Sequence, residues 1–457
     1  MAYQNDMQCA DIRRKFIEYY QQFGFQLLPR ASMLHPSIPM SFVMSAGLVQ
    51  VETSLANTKH RPGNKFVLVQ DCFRHFDLER VGTDNLHLSL FEMPAAFVFG
   101  ENGRQTVLPH IWNFVTNEIG LNPARIWVSY FAGGDVEGHH IPQDTLTYQT
   151  WRGIGVPESR LVGLGRQHNY WVQGGGIEHE NGAELRKCGA NTELFYDFGA
   201  EFACSSSCQP GCPCGRFIEF SNSLFVSHHL NHQTNTLTLM DDPFTETVIG
   251  NERVAMIAQG VSSVFDTTTY RLLVEIIMKA ITQNNLAPAV INESVRVIAD
   301  HLRALYILVA DGAPAPGKDG RARIIKLLIR RILTRQILLG IQLETDLPAI
   351  LQQQVIQCFS NGHHVPATVT MATVQAYLET EKERFLKTII RGEQMMDRML
   401  KDNQGNPLSG EQMVELEKRG GLPFLLIKYR LQEKDMSCQT ATYQKVLGDW
   451  KQSRNRG

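Results

Sequence analysis

The hydrophobic pattern of this 457-residue chain changes near residue 262, and the change limits the folds that the chain can adopt. Between residues 24 and 130, short apolar runs are broken by proline, glycine and asparagine, which is typical of an antiparallel sheet. After residue 262, long segments carry apolar residues at helical spacing. We therefore predict an α+β fold of two domains: an antiparallel sheet with flanking helices over 1–262, then an all-α domain over 263–457.

Individual elements follow from the same patterns. One amphipathic helix is predicted over 8–23, with an apolar face made of Ile12, Phe16, Tyr19, Tyr20 and Phe23. The predicted strands include 67–69, 97–99, 125–130 and 216–225. The predicted later helices are 269–281, 293–310, 321–339 and 374–400. The domain boundary is expected within residues 260–266.

Composition limits the class of protein. An apolar content of 43% and a charged content of 20% describe an ordinary globular protein. The net charge of −2 gives no general attraction to nucleic acid, so an RNA contact requires a local basic patch. No apolar run approaches the roughly 18 residues of a membrane span, and the N-terminus has no apolar signal region. Nine cysteines without a signal favour a reduced, cytoplasmic protein whose thiols are free or metal-bound.

Two distant segments carry the residue types that an ATP-activating site needs. The first is CFRHFDLE (72–79), followed by LFEM (90–93), and the second is IGNER (249–253). One guanidinium can fork onto an α-phosphate, and another can lie on an adenine face whose other side is covered by an aromatic ring. Neither segment is a Walker loop, because the chain has no G-x-x-x-x-G-K-[ST].

These segments resemble motifs of the alanyl-tRNA synthetase family, which belongs to the class II aminoacyl-tRNA synthetases. The colinear matches run from about residue 10 to 430 and include MSAGLVQ (44–50), DLERVG (77–82), FVFG (97–100), VIADHLR (297–303), ADG (310–312), the basic stretch 321–340 and LSG (408–410). The resemblance implies a class II antiparallel sheet. It implies a ligase that activates a small amino acid with ATP and Mg²⁺ and transfers it to tRNA. The family's editing and C-terminal domains are expected to be missing.

The resemblance assigns two arginines to ATP. Arg74 would bind the α-phosphate and stabilise charge in the transition state. Arg253 would stack on adenine and reach the γ-phosphate. Alternatively, Arg74 is a surface arginine on a strand. The alternative for Arg253 is a residue in the first turn of a helix that pairs with Glu252.

Four further residues complete the implied ATP site. Phe91 would stack on adenine or serve as a core aromatic. Glu79 and Glu92 would hold the adenine amine or order the loop. His87 is what remains of a two-histidine motif of the family.

The amino-acid pocket can be assigned in part from the same resemblance. Its predicted residues are Met44, Trp171, Asn222, Leu224 and Glu246. Trp171 would form a wall of the pocket. Glu246 stands where the family has the aspartate that binds the α-ammonium group, so the carboxylate is longer by one methylene. Asn222 would contact the substrate. Alternatively, it is a buried amide that forms hydrogen bonds with backbone groups at the end of a strand.

Other positions depart from the family. Ser221 replaces a tryptophan, and we expect the loss to leave space beside the pocket unless another side chain fills it. The loop from Arg74 to Glu79 is shorter than in the family and lacks its lysine. Lys318 and Lys418 stand where the family reads the acceptor-stem G·U pair, and lysine reads base edges poorly compared with an amide.

A basic helix is predicted to contact RNA phosphates through Lys318, Arg321, Arg323, Lys326 and Arg330. Apolar residues fall on its opposite side, at positions 325, 329 and 332. The alternative is a charged helix face that is merely solvated.

Four cysteines are concentrated in one short segment, at Cys204, Cys208, Cys212 and Cys214. They would form a tetrahedral zinc site or remain free, disulfide-prone thiols. Cys188 is a candidate substitute ligand. The His228-x-x-x-His232 spacing is interpreted as a chance match to the editing motif of the family.

Three functions are consistent with these observations. The first is an enzyme that forms an aminoacyl adenylate and esterifies a tRNA. The second is a paralogue that passes the activated amino acid to a carrier protein or a small amine. The third is a non-catalytic regulatory homologue, which the retained Arg74 and Arg253 argue against. Lys318, Lys418 and the missing loop lysine favour the second function over a housekeeping synthetase.

Overall fold

A computed structural model describes residues 7–34, 63–100, 103–173, 185–231, 233–283, 285–341, 350, 367–404 and 406–454. Within these ranges the chain forms two compact units. The first contains the described residues up to 74 and those of 90–271. The second contains 75–89 and the described residues from 272 onward. The boundary near 260–266 and the functional roles of the two predicted domains stay predictions.

The first unit is built on a sheet that has nine strands in the described part of the chain. These are β1 (Gln26–Leu27), β2 (Lys65–Phe73), β3 (Leu90–Phe99), β4 (Ile126–Phe131), β7 (Leu161–Leu164), β8 (Tyr170–Val172), β9 (Leu185–Asp197), β10 (Phe217–Asn231) and β11 (Thr236–Ile249). Their order is β1-β2-β3-β11-β10-β9-β4-β7, with β8 paired to β9. Two short strands, β5 (Gly134–Val136) and β6 (His139–Ile141), form a separate hairpin.

The sheet is mostly antiparallel, as the broken apolar runs predict. The pairs β1–β2 and β4–β7 are parallel, and the other described pairs are antiparallel. All four predicted strand segments lie in strands of this sheet, within one residue at their ends. The predicted α+β class is therefore confirmed.

Helices of the first unit are α1 (Cys9–Gln22), α2 (Gly103–Asn113), α3 (Thr145–Ile154), α4 (Arg166–Asn169) and α5 (Asn251–Ala258). In α1 the predicted apolar face is buried through Ile12, Phe16, Tyr19 and Tyr20. Phe23 was predicted on the same face, but its side chain is 45% exposed. The reason is that the helix ends at Gln22 and the chain turns at Gly24, where φ is +81°.

The second unit is helical in its described part. Its helices are α6 (Thr268–Lys279, which begins in the first unit), α7 (Pro288–Ala310), α8 (Gly320–Leu339), α9 (Ala367–Asp402), α10 (Gly410–Glu415), α11 (Phe424–Glu433) and α12 (Thr440–Arg454). The four predicted helices correspond to α6 through α9. In α8 the predicted apolar positions are Ile325, Ile329 and Ile332, and all three are fully buried. None of the described helices is both long and apolar enough to cross a bilayer.

Candidate active site

One face of the sheet gathers four of the five predicted pocket residues. Glu246 on β11 lies opposite Leu224 on β10 and opposite Phe97 on β3. Because side chains alternate along a strand, Asn222 shares the face of Leu224. Leu224 and Trp171 pack against the same buried cluster, which contains Phe97. The fifth predicted residue, Met44, lies outside the described residues.

Asn222 is anchored by one end of its amide. Its Nδ2 donates to Oε1 of Glu193 at 3.3 Å, while its buried Oδ1 has no hydrogen-bond partner among the described residues. Glu193 is fixed in turn by Ser129, whose hydroxyl donates to Oε2 at 3.3 Å and accepts from Asn169 at 2.9 Å. A buried acceptor without a partner costs free energy unless a ligand donor satisfies it. The arrangement therefore suits a substrate N–H or O–H.

Glu246 places a buried carboxylate on the same face of the sheet as Asn222. Its side chain is only 4% exposed and lies between Phe97 and Leu224. A buried carboxylate can form a charge-assisted hydrogen bond with an ammonium group. This position therefore suits the ammonium group of an amino acid.

Ser221 does not line this face. It precedes Asn222 on β10, so its side chain lies on the opposite face of the sheet. It is buried there, and its hydroxyl donates to the carbonyl oxygen of Val248 at 2.8 Å. The expectation that the loss of tryptophan leaves space beside the pocket is therefore wrong.

Arg74 follows the last residue of β2 and lies against an aromatic ring. Its guanidinium carbon is 4.9 Å from the centre of the Phe91 ring. Phe91 is opposite Cys72 in the strand pairing, and Cys72 is fully buried. Burial raises the pKa of this thiol, the charge of Arg74 lowers it, and the charges of carboxylates that include Glu246 raise it. The charges of Arg74 and Glu246 therefore both shift the pKa of the Cys72 thiol, in opposite directions.

Arg253 lies in the first turn of α5. Its Nη1 donates to the carbonyl oxygen of Glu219 at 2.8 Å and is 3.5 Å from the carboxylate of the same residue. The alternative pairing with Glu252 is not what the structure shows. Glu252 is buried, and its carboxylate accepts the backbone N–H of Glu92 at 3.1 Å.

Two carboxylates beside Arg253 were not predicted from the sequence. Burial raises the pKa of Glu193 well above its usual range, and the charge of Glu219 raises it further. A hydrogen bond from Ser129 and the charge of Arg253 act in the opposite direction. Two neighbouring carboxylates provide the oxygen ligands that Mg²⁺ prefers. No local motif reveals this pair, because the two residues lie on separate strands.

The carboxylate of Glu92 is bonded by residues of two neighbouring helices. It is buried, with Oε1 at 2.6 Å from Nη2 of Arg13 and Oε2 at 2.5 Å from Nδ2 of Asn251. These bonds connect β3 to α1 and α5. Contact with the adenine amine and ordering of the loop both stay predictions for Glu92.

Comparison with known proteins identifies the family. The family model for tRNA synthetases class II (A) matches residues 11–456. The chain belongs to this family. The prediction of a class II synthetase is therefore confirmed.

Individual relatives of this class II synthetase chain are alanine–tRNA ligases. That of Desulforudis audaxviator is 29% identical over 448 residues, which cover 96% of this chain and 48% of the relative. That of Idiomarina loihiensis is 28% identical over 453 residues, which cover 98% and 49%. The chain thus spans about half the length of the curated relatives it matches. An apo S. aureus histidyl-tRNA synthetase structure aligns over 55% of this chain and 66% of its own, with a TM-score of 0.31 and 9% identity.

The segment that follows Arg74 in this chain belongs to the second unit, and it contains two predicted ATP residues. Glu79 is 84% exposed and accepts from Nη1 of Arg331 at 2.7 Å. His87 bonds through Nδ1 to Asp84 at 2.5 Å. Burial alone would raise the pKa of Asp84, but hydrogen bonds from the His87 side chain and from backbone amides hold it below its usual range. Both predicted residues therefore have partners in the second unit.

A buried network holds both ends of this segment, and the sequence reasoning missed it. Arg331 donates through Nε to Nε2 of His301 at 2.9 Å and through Nη2 to the carbonyl oxygen of Leu78 at 2.6 Å. Nδ1 of His301 bonds to Asp300 at 2.8 Å, and Asp300 accepts the backbone N–H of Ser89 at 2.9 Å. The VIADHLR match contains Asp300 and His301 but does not reveal their partners.

The predicted basic face of α8 is only partly exposed to solvent. Lys318 and Arg323 are exposed, whereas Arg321 and Lys326 are half-buried. Arg330 corrects the prediction, because its Nε donates to a buried carboxylate of α9, that of Glu381, at 2.7 Å. Its guanidinium therefore binds protein rather than a phosphate.

The remaining predictions concern cysteine, histidine and one lysine. Cys188 is fully buried on β9 in a core cluster with Tyr170, so it is wrong as a substitute metal ligand. His228 is half-buried, and His232 lies outside the described residues. Lys418 pairs with Glu417 at 2.7 Å and lies 5.5 Å from the ring centre of a neighbouring tryptophan.

Proposed function

We propose that this chain activates an amino acid with ATP, forms an aminoacyl adenylate, and transfers the acyl group to tRNA. The observation that supports this most is the shared sheet face. Glu246 and Asn222 are suited to an amino acid, and Arg74 lies against Phe91 at the adjoining strands. Family membership supports the same reaction class.

The amino acid would bind through its α-ammonium group. Glu246 would take the α-ammonium group, and the free Oδ1 of Asn222 would accept a further N–H. Trp171 and Leu224, which pack on the same cluster, would surround the side chain. This orientation leaves the substrate carboxylate directed toward ATP.

The chemical step would be attack of the substrate carboxylate oxygen on the α-phosphorus. A new oxygen–phosphorus bond forms, and the bond to pyrophosphate breaks. Arg74 would fork onto the α-phosphate oxygens, where negative charge is held in the transition state. Its contact with Phe91 keeps the guanidinium at the sheet, since cation–π contacts of this kind are attractive.

The rest of ATP would be held on the other side of the site. Arg253 would lie on adenine and reach the terminal phosphate. Glu193 and Glu219 are the carboxylates that would hold Mg²⁺, which neutralises phosphate charge when bound. Burial and the charge of Glu219 raise the pKa of Glu193, and a bound cation would offset this effect because it favours the charged carboxylate.

The acceptor is proposed to be tRNA, with Arg323 and Lys326 of α8 on phosphates. Arg323 is exposed and Lys326 is half-buried. A carrier protein or small amine is the second candidate. It is favoured by the pairing of Lys418 with Glu417, because a lysine held in this way is poorly suited to read a base edge. We expect either reaction in the cytoplasm.

The direct test is amino-acid-dependent exchange between pyrophosphate and ATP, screened over the twenty amino acids. Exchange with at least one amino acid supports adenylate formation, and no exchange contradicts it. Any active amino acid is then used to charge total tRNA. Exchange without charging would replace tRNA by the second acceptor class.

A further inference from the structure

The loop between β9 and β10 brings four cysteine thiols together. The sulfur atoms of Cys204, Cys208, Cys212 and Cys214 all lie within 4.8 Å of one another. Cys204 is 3.2 Å from Cys212, and Cys208 is 3.3 Å from Cys214. The sequence left two alternatives for these residues, a zinc site or free thiols.

The spacing of the sulfur atoms fits a metal site and not a disulfide. A disulfide needs a sulfur–sulfur distance of about 2.05 Å, and the Cys204–Cys212 and Cys208–Cys214 distances are both longer. Four thiolates about 2.3 Å from a tetrahedral Zn²⁺ lie about 3.8 Å from one another. The observed range of 3.2–4.8 Å includes this value. We propose that the four cysteines bind one Zn²⁺ in a closed structural site.

Local backbone structure prepares this arrangement. The N–H of Cys208 donates to the carbonyl oxygen of Ser205 at 3.3 Å, and that of Cys212 donates to Gln209 at 3.1 Å. Each of these two cysteines thus ends a turn. Gly211 has a φ of +90°, a conformation that residues with a Cβ rarely adopt. The turns direct the four thiols to one point without any helix or strand.

The loop has little other means of holding its shape. Residues 204–207 are exposed, and Phe202 is 49% exposed. The two ends of the loop are joined by Arg216, which donates to both carboxylate oxygens of Asp197 at 2.8 Å. Short segments without a hydrophobic core are commonly held by metals, and zinc binding then contributes directly to folding.

The choice of Zn²⁺ follows from the ligands. Four soft thiolates at tetrahedral spacing suit Zn²⁺, and four protein ligands leave no open position for catalysis. The ion would therefore be structural. Cys214 shortly precedes β10, the strand that carries Glu219 and Asn222. If the proposed function is correct, the ion also fixes the start of a strand that lines the active site.

Metal analysis of the full chain tests the proposal. Protein purified in reducing buffer without chelators should contain close to one equivalent of zinc by elemental mass spectrometry. Cys208→Ser and Cys212→Ser should lose the zinc, whereas Cys438→Ser, the control outside the cluster, should retain it. Cobalt added to zinc-depleted protein should give thiolate-to-cobalt charge-transfer bands and tetrahedral d–d bands.

A second measurement remains decisive if the serine variants fail to fold. A mercurial reagent added in excess to the parent should release one zinc per chain, and a parent without bound zinc should release none. Reduced parent protein with no zinc and no cobalt uptake would overturn the proposal. So would iron in place of zinc, retention of metal by Cys208→Ser, or disulfides joining the four cysteines. All of these readouts are independent of ATP exchange, so they separate this proposal from the proposed function.

Discussion

Arg331 of α8 donates a hydrogen bond from Nε to Nε2 of His301 of α7 at 2.9 Å, and His301 is fully buried. The same guanidinium reaches Leu78, while Asp300 beside His301 holds Ser89. The segment that follows Arg74 is thus fixed at both ends by one network. We infer that this network keeps the segment in a single conformation.

Replacing Arg331 tests this inference. Arg331→Ala should lower the free energy of unfolding by about 3 kcal/mol, because it leaves buried acceptors at His301 and Leu78 without a donor. Hydrogen exchange over 75–89 should become faster than in the parent. Arg323→Ala, at an exposed position of the same helix, should change the free energy of unfolding by less than about 0.5 kcal/mol. Unchanged exchange over 75–89 in Arg331→Ala would show that the network does not order the segment.

His301 also predicts a pH dependence of stability. Burial lowers its pKa, a bond to Asp300 raises it, and the charges of Arg331 and Arg335 lower it, with a net decrease. The unfolded chain therefore takes up a proton below about pH 6.5, where the folded chain keeps His301 neutral. This contribution to stability is present above about pH 6.5 and is lost as the pH falls below it.

Denaturant midpoints at about pH 7.5 and 5.5 check this prediction. The decrease in stability toward pH 5.5 should be smaller in His301→Gln than in the parent. His140→Gln, at an exposed position, is the control and should behave as the parent does. Equal decreases in the parent and in His301→Gln would contradict the account.

Glu246 is expected to bind the amino acid rather than ATP. Glu246→Gln should raise the KM for the amino acid by about ten- to a hundredfold, because it removes a charge-assisted hydrogen bond to the ammonium group. The KM for ATP should change much less. Glu158→Gln, an exposed replacement, is the control. A larger change in the KM for ATP than for the amino acid would refute this role.

The identity of the amino acid is a related prediction. We expect alanine to be a poor substrate or one of several, because Glu246 is longer by a methylene than the family's aspartate. A misplacement of about one bond length can lower the rate about a hundredfold. Values of kcat/KM for alanine, serine, glycine and larger amino acids check this, and a strong preference for alanine would contradict it.

The basic residues of α8 should divide into two kinds. Arg323→Ala and Lys326→Ala should each weaken tRNA binding. In a plot of the logarithm of the binding constant against the logarithm of the salt concentration, each should reduce the magnitude of the slope by about one. Arg330→Ala should instead destabilise the fold, because it leaves the buried Glu381 carboxylate without its partner. Filter binding over a salt series, with thermal melting of each variant, distinguishes the two effects. Equal salt slopes in all three variants would contradict the assignment.

Strand alternation explains how much of the site could be predicted from the sequence. It predicts the sheet, and it places Asn222 and Leu224 on one face. The same rule puts Ser221 on the other face, so the expected space beside the pocket could have been rejected from the sequence. The pair Glu193 and Glu219 could not be predicted, because its closeness depends on the register of two strands.

Helix periodicity had a similar limit. It correctly predicts that Ile325 and Ile329 of α8 are buried. It cannot distinguish Arg330, which bonds to Glu381 of α9, from Arg323, which is exposed. Elements that are distant in the chain determine whether a charged side chain forms a bond with the protein or is exposed to solvent.

Exchange between pyrophosphate and ATP in the parent and in Arg74→Ala tests the central claim most directly. We predict amino-acid-dependent exchange in the parent and a decrease of about a hundredfold or more in Arg74→Ala, since donors of this kind contribute about 3 kcal/mol to the transition state. Arg14→Ala, at an exposed position of α1, should exchange at the parental rate. No exchange in the parent with any amino acid, or an Arg74→Ala variant as active as the parent, would contradict the account.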